Sequence, residues 1–283
     1  MNAISIYEVG PRDGLQSLGR TIPLRKKVKL VNKLKKSGLE NIEVGSLVHP
    51  SILSMRDSEK LYKKTGGDLL VLNEKGFERA MSIGADSINI VISPSDDFNM
   101  KNQKITYKKA LEIYEKMSNQ ITINRLYISC SFSEDIPEED VLKCVEWGKN
   151  IAKTVILCDT ESVGNVEKIR SICSQSYSIT PNLGVHLHIS EYVMDCIRAA
   201  YESGIRVFDT SIGGLGGCVS VESAEGNVPT EQLVMWAVSN GIPITNKIQL
   251  SQLYSTSRYA VNLECSGTER LGRWLSQRVG MYI

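Results

Sequence analysis

The sequence predicts a (β/α)8 barrel with additional C-terminal helices, and three observations predict it. Eight short runs rich in β-branched residues recur along the chain, amphipathic stretches lie between them, and 283 residues is a length one barrel can fill. Strands that alternate with helices pair in parallel through right-handed crossovers, and eight such units close on themselves. An open doubly wound sheet is the rival. It loses support because no GxGxxG opens a helix after the first strand and no Walker loop is present. One domain, 1–283, is expected, with about 251–283 as a C-terminal helical extension.

The elements follow in order. Ile4–Val9 is the first strand. Leu24–Lys36 carries Val28, Leu30, Val31 and Leu34 as an apolar stripe among lysines, the spacing of a helix with one buried face. Asn41–Ser46, Asp68–Leu72 and Ser87–Ser93 are the next three strands. Tyr107–Gln120 and Glu138–Asn150 repeat the amphipathic pattern on either side of the fifth strand, Arg125–Phe132. Thr154–Cys158, Gly184–Ile189 and Val207–Ile212 complete the eight. Beyond them Ser251–Arg278 reads as helix, break and helix, placed to cap the barrel or to make a subunit contact.

Composition narrows the partners. The chain has 42% hydrophobic residues and a net charge of +1, and neither figure suggests a nucleic-acid or acidic-membrane partner, so partners must be argued from sites. No apolar run approaches the roughly 18 residues of a membrane span, and the N-terminus lacks the basic-then-apolar pattern of a signal peptide. Seven cysteines without CxxC pairs fit reduced thiols, and a cytoplasmic location is expected.

Barrel chemistry belongs where strands end and loops begin. Strand 1 runs into Gly10-Pro11-Arg12-Asp13-Gly14-Leu15-Gln16, which sets a cation beside a carboxylate; an exposed ion pair in a turn is the plainer reading. Strand 7 carries His186-Leu187-His188, and period-two geometry sends both imidazoles toward the barrel axis. Such a pair can chelate an ion if a carboxylate joins it, with Asp13 the candidate, or can be two hydrogen-bonded core residues. Imidazole and carboxylate without clustered thiolates suit Mg²⁺, Mn²⁺ or Co²⁺.

Strand 8 leads into Gly213-Gly214-Leu215-Gly216-Gly217-Cys218, a loop that can bring backbone N–H groups to an anion and expose one thiol, or simply bury a Cys. Asn227 offers an amide oxygen at the rim, where an ordinary turn asparagine is the alternative. Glu43 on strand 2 would need a charged partner if it faces inward, and Arg12 is available. Asp159-Thr160 at the end of strand 6 and Tyr127 within strand 5 either bind substrate or anchor loops.

Taken together, the chain resembles the 3-hydroxy-3-methylglutaryl-CoA lyases within the wider metal-dependent lyase and Claisen-condensing barrels. The resemblance covers nearly the whole length. It rests on Val9 through Gln16, Ile42-Glu43 with Ser46, Leu72-Asn73 with Lys75-Gly76-Phe77-Glu78, and Phe98 with Lys101-Asn102. Tyr127-Ile128-Ser129-Cys130, Asp159-Thr160, Val185 through His188, Gly214 through Cys218, and Gly226-Asn227-Val228 extend it. It implies a divalent cation, Mg²⁺ or Mn²⁺, held by Asp13, His186 and His188 with Asn227 beside them. Arg12 would be the electrophile on an enolate oxygen, Glu43 its orienting partner, Cys218 the loop acid/base, and His186 a catalytic group as well as a ligand. Gln16, Asn73, Tyr127, Asp159, Thr160 and Asn262 would line the substrate or support the site.

The implied reaction is cleavage of 3-hydroxy-3-methylglutaryl-CoA, or a related 3-hydroxy-3-alkyl acyl-CoA, to acetyl-CoA and a 3-oxo acid. The small-molecule partner is then an acyl-CoA, and a homodimer, common among similar enzymes, is one assembly open to it. Departures from the pattern keep alternatives in view. Ile189-Ser190-Glu191-Tyr192 replaces the usual Thr-Tyr-Gly loop and is one residue shorter. An expected Asp-Thr-Ile-Gly turn is Asp159-Thr160-Glu161-Ser162, and Gly19 followed by Arg20 stands where a lysine often meets the CoA phosphates. These differences motivate a condensing or aldol reaction on another acid, and a barrel that binds without catalysis is the reading from a different class.

Overall fold

The computed structural model describes residues 3–18, 20–216 and 226–264, with the backbone alone at Glu264. Eight strands, β1 Ser5–Glu8, β2 Glu43–Ser46, β3 Asp68–Val71, β4 Ser87–Ile92, β5 Thr122–Ile128, β6 Ala152–Cys158, β7 Leu183–His186 and β8 Val207–Thr210, pair in parallel in the order β1-β8-β7-β6-β5-β4-β3-β2. The ends of that order meet through a parallel bridge between Glu8 and Ile42, where the Glu8 N–H donates to the Asn41 carbonyl at 2.9 Å. The sheet is thus nearly closed on itself, and the expected TIM barrel is what forms.

Around it lie α1 Leu24–Lys36, α2 Ser58–Thr65, α3 Glu74–Ser82, α4 Asp96–Gln103, α5 Tyr107–Ser118, α6 Glu138–Gly148, α7 Val166–Ile179, α8 Val193–Glu202, α9 Thr230–Ser239 and α10 Leu250–Glu264. Several begin on a capping side chain. Asn73, Ser95, Thr106 and Asn165 each accept an N–H from the first turn of α3, α4, α5 and α7, which satisfies a donor the helix cannot. On α1 the lysines are not all solvated: Lys27 is buried, and its Nζ donates to the Ser54 carbonyl and pairs with Asp57. The helix α10 packs along α1, with Ser37 Oγ and Thr256 Oγ1 3.0 Å apart.

Alternation along the strands builds two interiors. Outward residues such as Ile6, Val44, Ile90, Leu126, Leu157, Val185 and Phe208 join Leu30, Tyr114, Val141, Ile169 and Leu233 from the helices in one apolar layer. Burying each such side chain contributes roughly 1.5–3 kcal/mol, so this layer carries the fold. Inside the barrel the apolar group is small, Leu70, Tyr127, Ile156 and Cys158. Much of the lumen is instead polar and buried, with Tyr7, Glu43, Asn89, Arg125, His186 and Asp209.

Most strand ends shift from the sequence reading by a residue or more, and three strands stop two or more residues early. The strand β5 starts at Thr122 and stops at Ile128, because Cys130 takes a positive φ of 57° and turns the chain. Of the other two, β7 stops at His186 and β8 at Thr210. Past His186, His188 leaves β7 and bridges antiparallel to Asn227; past Thr210, Ser211 pairs with Pro229. The chain after β8 therefore folds back over the mouth of β7 and β8.

Candidate active site

The segment after β1 shapes the site. Gly10–Gly14 forms a single π-helical turn, a wide turn of the kind that often marks functional positions. Its glycines are there for space. A Cβ on Gly10 would lie 2.5 Å from Glu8 Oε1, and one on Gly14 would lie 2.7 Å from Leu215 Cβ on the loop after β8. Gly216 approaches from the other side, with its Cβ position 2.8 Å from the Gly14 Cα. These close approaches bring the turn carrying Arg12 and Asp13 against the loop carrying Leu215 and Gly216.

Arg12 is 7% exposed and reaches over the lumen. Its Nε donates to Glu43 and its Nη1 to Asp13, while its guanidinium carbon stands 5.7 Å from the centre of the Tyr127 ring. Glu43, fully buried, also accepts from Asn89 Nδ2 at 2.7 Å. Burial works against charge on both partners and pushes the Glu43 carboxyl up, but Arg12 touches two carboxylates and stays protonated. The expected Arg12–Glu43 pair is therefore present as a fixed fork rather than a surface turn contact.

His186 and His188 lie beside this fork, with ring centres 5.2 Å apart and planes inclined by 65°. Asn227 donates from Nδ2 to Asp13 Oδ2 at 2.8 Å and to the Leu215 carbonyl at 3.0 Å. Burial alone would raise the Asp13 carboxyl, yet Arg12, the two imidazoles and the Asn227 amide hold it at about 2. Asp13, His186, His188 and Asn227, expected as a group, are thus neighbours.

Two imidazoles, a carboxylate and an amide oxygen suit a hard or borderline divalent ion. The fit has a direct structural sign: the buried Asn227 Oδ1 has no hydrogen-bond partner. Asp13 spends its oxygens on Arg12 and Asn227, and among the described residues no three His, Cys, Asp or Glu side chains converge on one point.

The remaining expected residues divide. Tyr127 is buried with its ring centre 6.2 Å from that of His186, and the buried Oε1 of Gln16 also has no hydrogen-bond partner. Thr160 Oγ1 accepts the Cys130 N–H at 2.9 Å, and Asp159 Oδ1 accepts the Val163 and Gly164 N–H groups at 3.0 Å, so both fasten the loops after β5 and β6. Burial raises the Asp159 carboxyl despite those two bonds. Asn73 Oδ1 caps α3, and Asn262 stands exposed on α10. Cys218 lies outside the described residues.

Other polar residues here were not foreseen. Asp209 on β8 lies beside His186 in register, with Oδ2 3.3 Å from His186 Nδ1, and its Oδ1 takes a bond from Arg125 on β5. The Arg125 guanidinium carbon lies over the Tyr7 ring, 3.6 Å from its centre. A charged residue in phase with the lumen within an otherwise apolar strand was the available signal, and both residues carry it.

Residues 3–260 match the family model described as HMGL-like. The chain belongs to the HMGL-like family. Among curated relatives, an (R)-citramalyl-CoA lyase of Chloroflexus aurantiacus is 28% identical, covering 99% of this chain and 95% of that protein. The hydroxymethylglutaryl-CoA lyase YngG of Bacillus subtilis is also 28% identical, over 97% and 95%. Among solved structures, the HMG-CoA lyase of Brucella melitensis superposes with a TM-score of 0.85 at 30% identity, covering 93% of this chain and 99% of that one. This HMGL-like chain is therefore an acyl-CoA lyase of the HMG-CoA lyase type. Among its described residues, no helix is long and apolar enough to cross a membrane.

Proposed function

We propose that the protein is a divalent-metal-dependent carbon–carbon lyase that cleaves 3-hydroxy-3-methylglutaryl-CoA, or a related 3-hydroxy-3-alkyl acyl-CoA, to acetyl-CoA and a 3-oxo acid. One observation carries the reading. A buried, carboxylate-held Arg12 stands next to the Asp13, His186, His188 and Asn227 donor set, so a cation for an enolate adjoins a site for an ion.

The ion, Mg²⁺ or Mn²⁺, would be held by Asp13, His186 and His188 with the Asn227 oxygen, and would supply the Lewis acidity that eases loss of the tertiary hydroxyl proton. This chain's residues do the rest. Arg12 donates to the thioester oxygen as the departing two-carbon unit becomes an enolate, and because Glu43 fixes its fork, little reorganisation is needed when that charge develops. Tyr127, buried with its ring centre 5.7 Å from the Arg12 guanidinium carbon, packs beside that cation. Cys218, the loop acid/base that the family resemblance implies, takes the hydroxyl proton as a thiolate and returns it to the enolate carbon, so that no net proton is consumed.

A second reading changes the acid while keeping the cleavage. The citramalyl-CoA lyase relative and the half-buried Glu161 after β6 favour a substrate whose alcohol carbon bears different substituents. Acetyl-CoA release is the test, assayed with Mg²⁺ or Mn²⁺ on 3-hydroxy-3-methylglutaryl-CoA and citramalyl-CoA for the native protein, Arg12→Met and His186→Ala. Turnover of the first substrate by the native protein alone supports the primary reading, and turnover of only the second supports the alternative. Equal rates in all three proteins would sink the site assignment. If a 2-oxo acid must be added before acyl-CoA is consumed, the direction is condensation.

A further inference from the structure

We infer that Asp209 is a positioning residue: it holds His186 in the tautomer whose bare Nε2 is offered to the ion, and Arg125 holds Asp209. The inference rests on the ligand role proposed for His186 and concerns what prepares that ligand.

Asp209 and His186 are register partners on neighbouring strands, so the backbone ladder fixes their separation. The Asp209 side chain is fully buried and both its oxygens are used: Oδ1 by Arg125 Nη2, and Oδ2 by His186 Nδ1 at 3.3 Å. A carboxylate can only accept, so the nitrogen facing it carries the proton and the opposite nitrogen is left with its lone pair. Arg125 can only donate, and its guanidinium carbon is held over the Tyr7 ring, 3.6 Å from the centre. Nothing in this chain of contacts can invert without breaking a buried bond. Partners of this kind, placed behind a ligating histidine, set its orientation and basicity.

The argument has a sharp consequence for Asp209→Asn, which changes volume very little. Arg125 has no acceptor, so it takes the amide oxygen of the new side chain. The amide NH₂ then faces His186 Nδ1, which must accept, and the ring proton moves to Nε2. The variant therefore presents the ion with a protonated nitrogen.

The full chain holds three histidines, so ¹⁵N-imidazole labelling gives three ring systems, which His186→Ala and His49→Ala assign. In chelator-treated native protein His186 should carry its proton on Nδ1, and in Asp209→Asn on Nε2. Mn²⁺ binding followed by electron paramagnetic resonance should weaken about 10–100-fold in that variant. A proton on Nε2 of His186 in the native protein overturns the inference even if the variant fails to fold. Native Mn²⁺ binding with unchanged tautomer and affinity in Asp209→Asn also overturns it, leaving Asp209 as a counter-ion for Arg125. Failure of the native protein to bind Mn²⁺ overturns the ligand role of His186 on which it rests, a separate result from either of those.

Discussion

Glu8 offers a quantitative test of how the two site loops are held together. It lies on the outward side of β1 and is fully buried; its Oε1 accepts the Gly10 and Ile212 N–H groups at 2.9 Å each, and its Oε2 is 2.6 Å from Thr230 Oγ1. One carboxyl thus ties the Arg12 turn to the loop after β8 and to the start of α9. Burial raises it from 4.5 to about 7, against the bonds from Thr230, Ile212 and Gly10 and with some help from Glu231. Because the folded value is the higher one, the folded state binds more protons than the unfolded state between those limits. The stabilisation is complete below about pH 4.5 and lost as pH rises through 7. At about 1.4 kcal/mol per pH unit the difference amounts to roughly 3 kcal/mol. Glu8→Gln mimics the protonated group, since its oxygen can accept both amides and its NH₂ can donate to Thr230 Oγ1, which in turn bonds Thr210 Oγ1 at 2.9 Å. Urea unfolding of both proteins from pH 5 to 8.5 should give a native stability that falls relative to the variant's by about 2–3 kcal/mol. Parallel curves, or a gap of opposite sign, would refute the reasoning.

Three further outcomes follow from the same contacts. Glu43→Ala removes one member of a buried pair and leaves Arg12 partly uncompensated, so unfolding free energy should drop by about 3–5 kcal/mol; a loss within 1 kcal/mol would show the pair is not a structural anchor. Gly14→Ala places a Cβ 2.7 Å from Leu215 Cβ and 3.0 Å from Ser211 Oγ, which should cost about 1–3 kcal/mol in chemical denaturation and lower kcat by parting the two loops. Mn²⁺ at a hundred times its Kd should stabilise the native protein by about 2.7 kcal/mol in thermal or urea melts, and Asp13→Ala should show no such gain.

The barrel was legible because its signal is spread over the whole chain: eight β-branched runs at regular intervals leave few topologies, and all eight strands form. The Arg12-Asp13 turn, Glu43, the two histidines and Asn227 were legible as a group because the family resemblance gathers them, although each on its own also has a plainer reading. Period-two spacing correctly put His186 and His188 on one side, although His188 is placed by its bridge to Asn227 rather than by β7 itself. Asp209 and Arg125 were missed because each, taken alone in sequence, is a single charge in a strand. Only the register of β7 against β8 shows that Asp209 stands behind His186. Sequence also cannot separate a residue that touches substrate from one that fastens a loop, and Asn73, Asp159 and Thr160 use their oxygens on backbone N–H groups.

That division of labour bears on how substrate preference is encoded. Charges in the lumen are mutually satisfied, Arg12 with Glu43 and Asp13, and Arg125 with Asp209, so changing any of them leaves a buried charge uncompensated and threatens the fold as well as the chemistry. Loop residues outside those pairs carry no such penalty. The turn after β6 illustrates it: Ser162, standing where the family resemblance leads to the expectation of a glycine, holds a φ of 58°, a conformation glycine adopts freely and another residue adopts at a cost of about 1–2 kcal/mol. The same turn carries Glu161 at the mouth of the barrel. Under the proposed reaction, substrate choice can vary through residues 161–162 and 189–192 while the groups proposed to act on the carbon–carbon bond stay fixed by the strands beneath them. Relatives that match nearly the whole chain but carry two different acyl-CoA lyase names fit that arrangement.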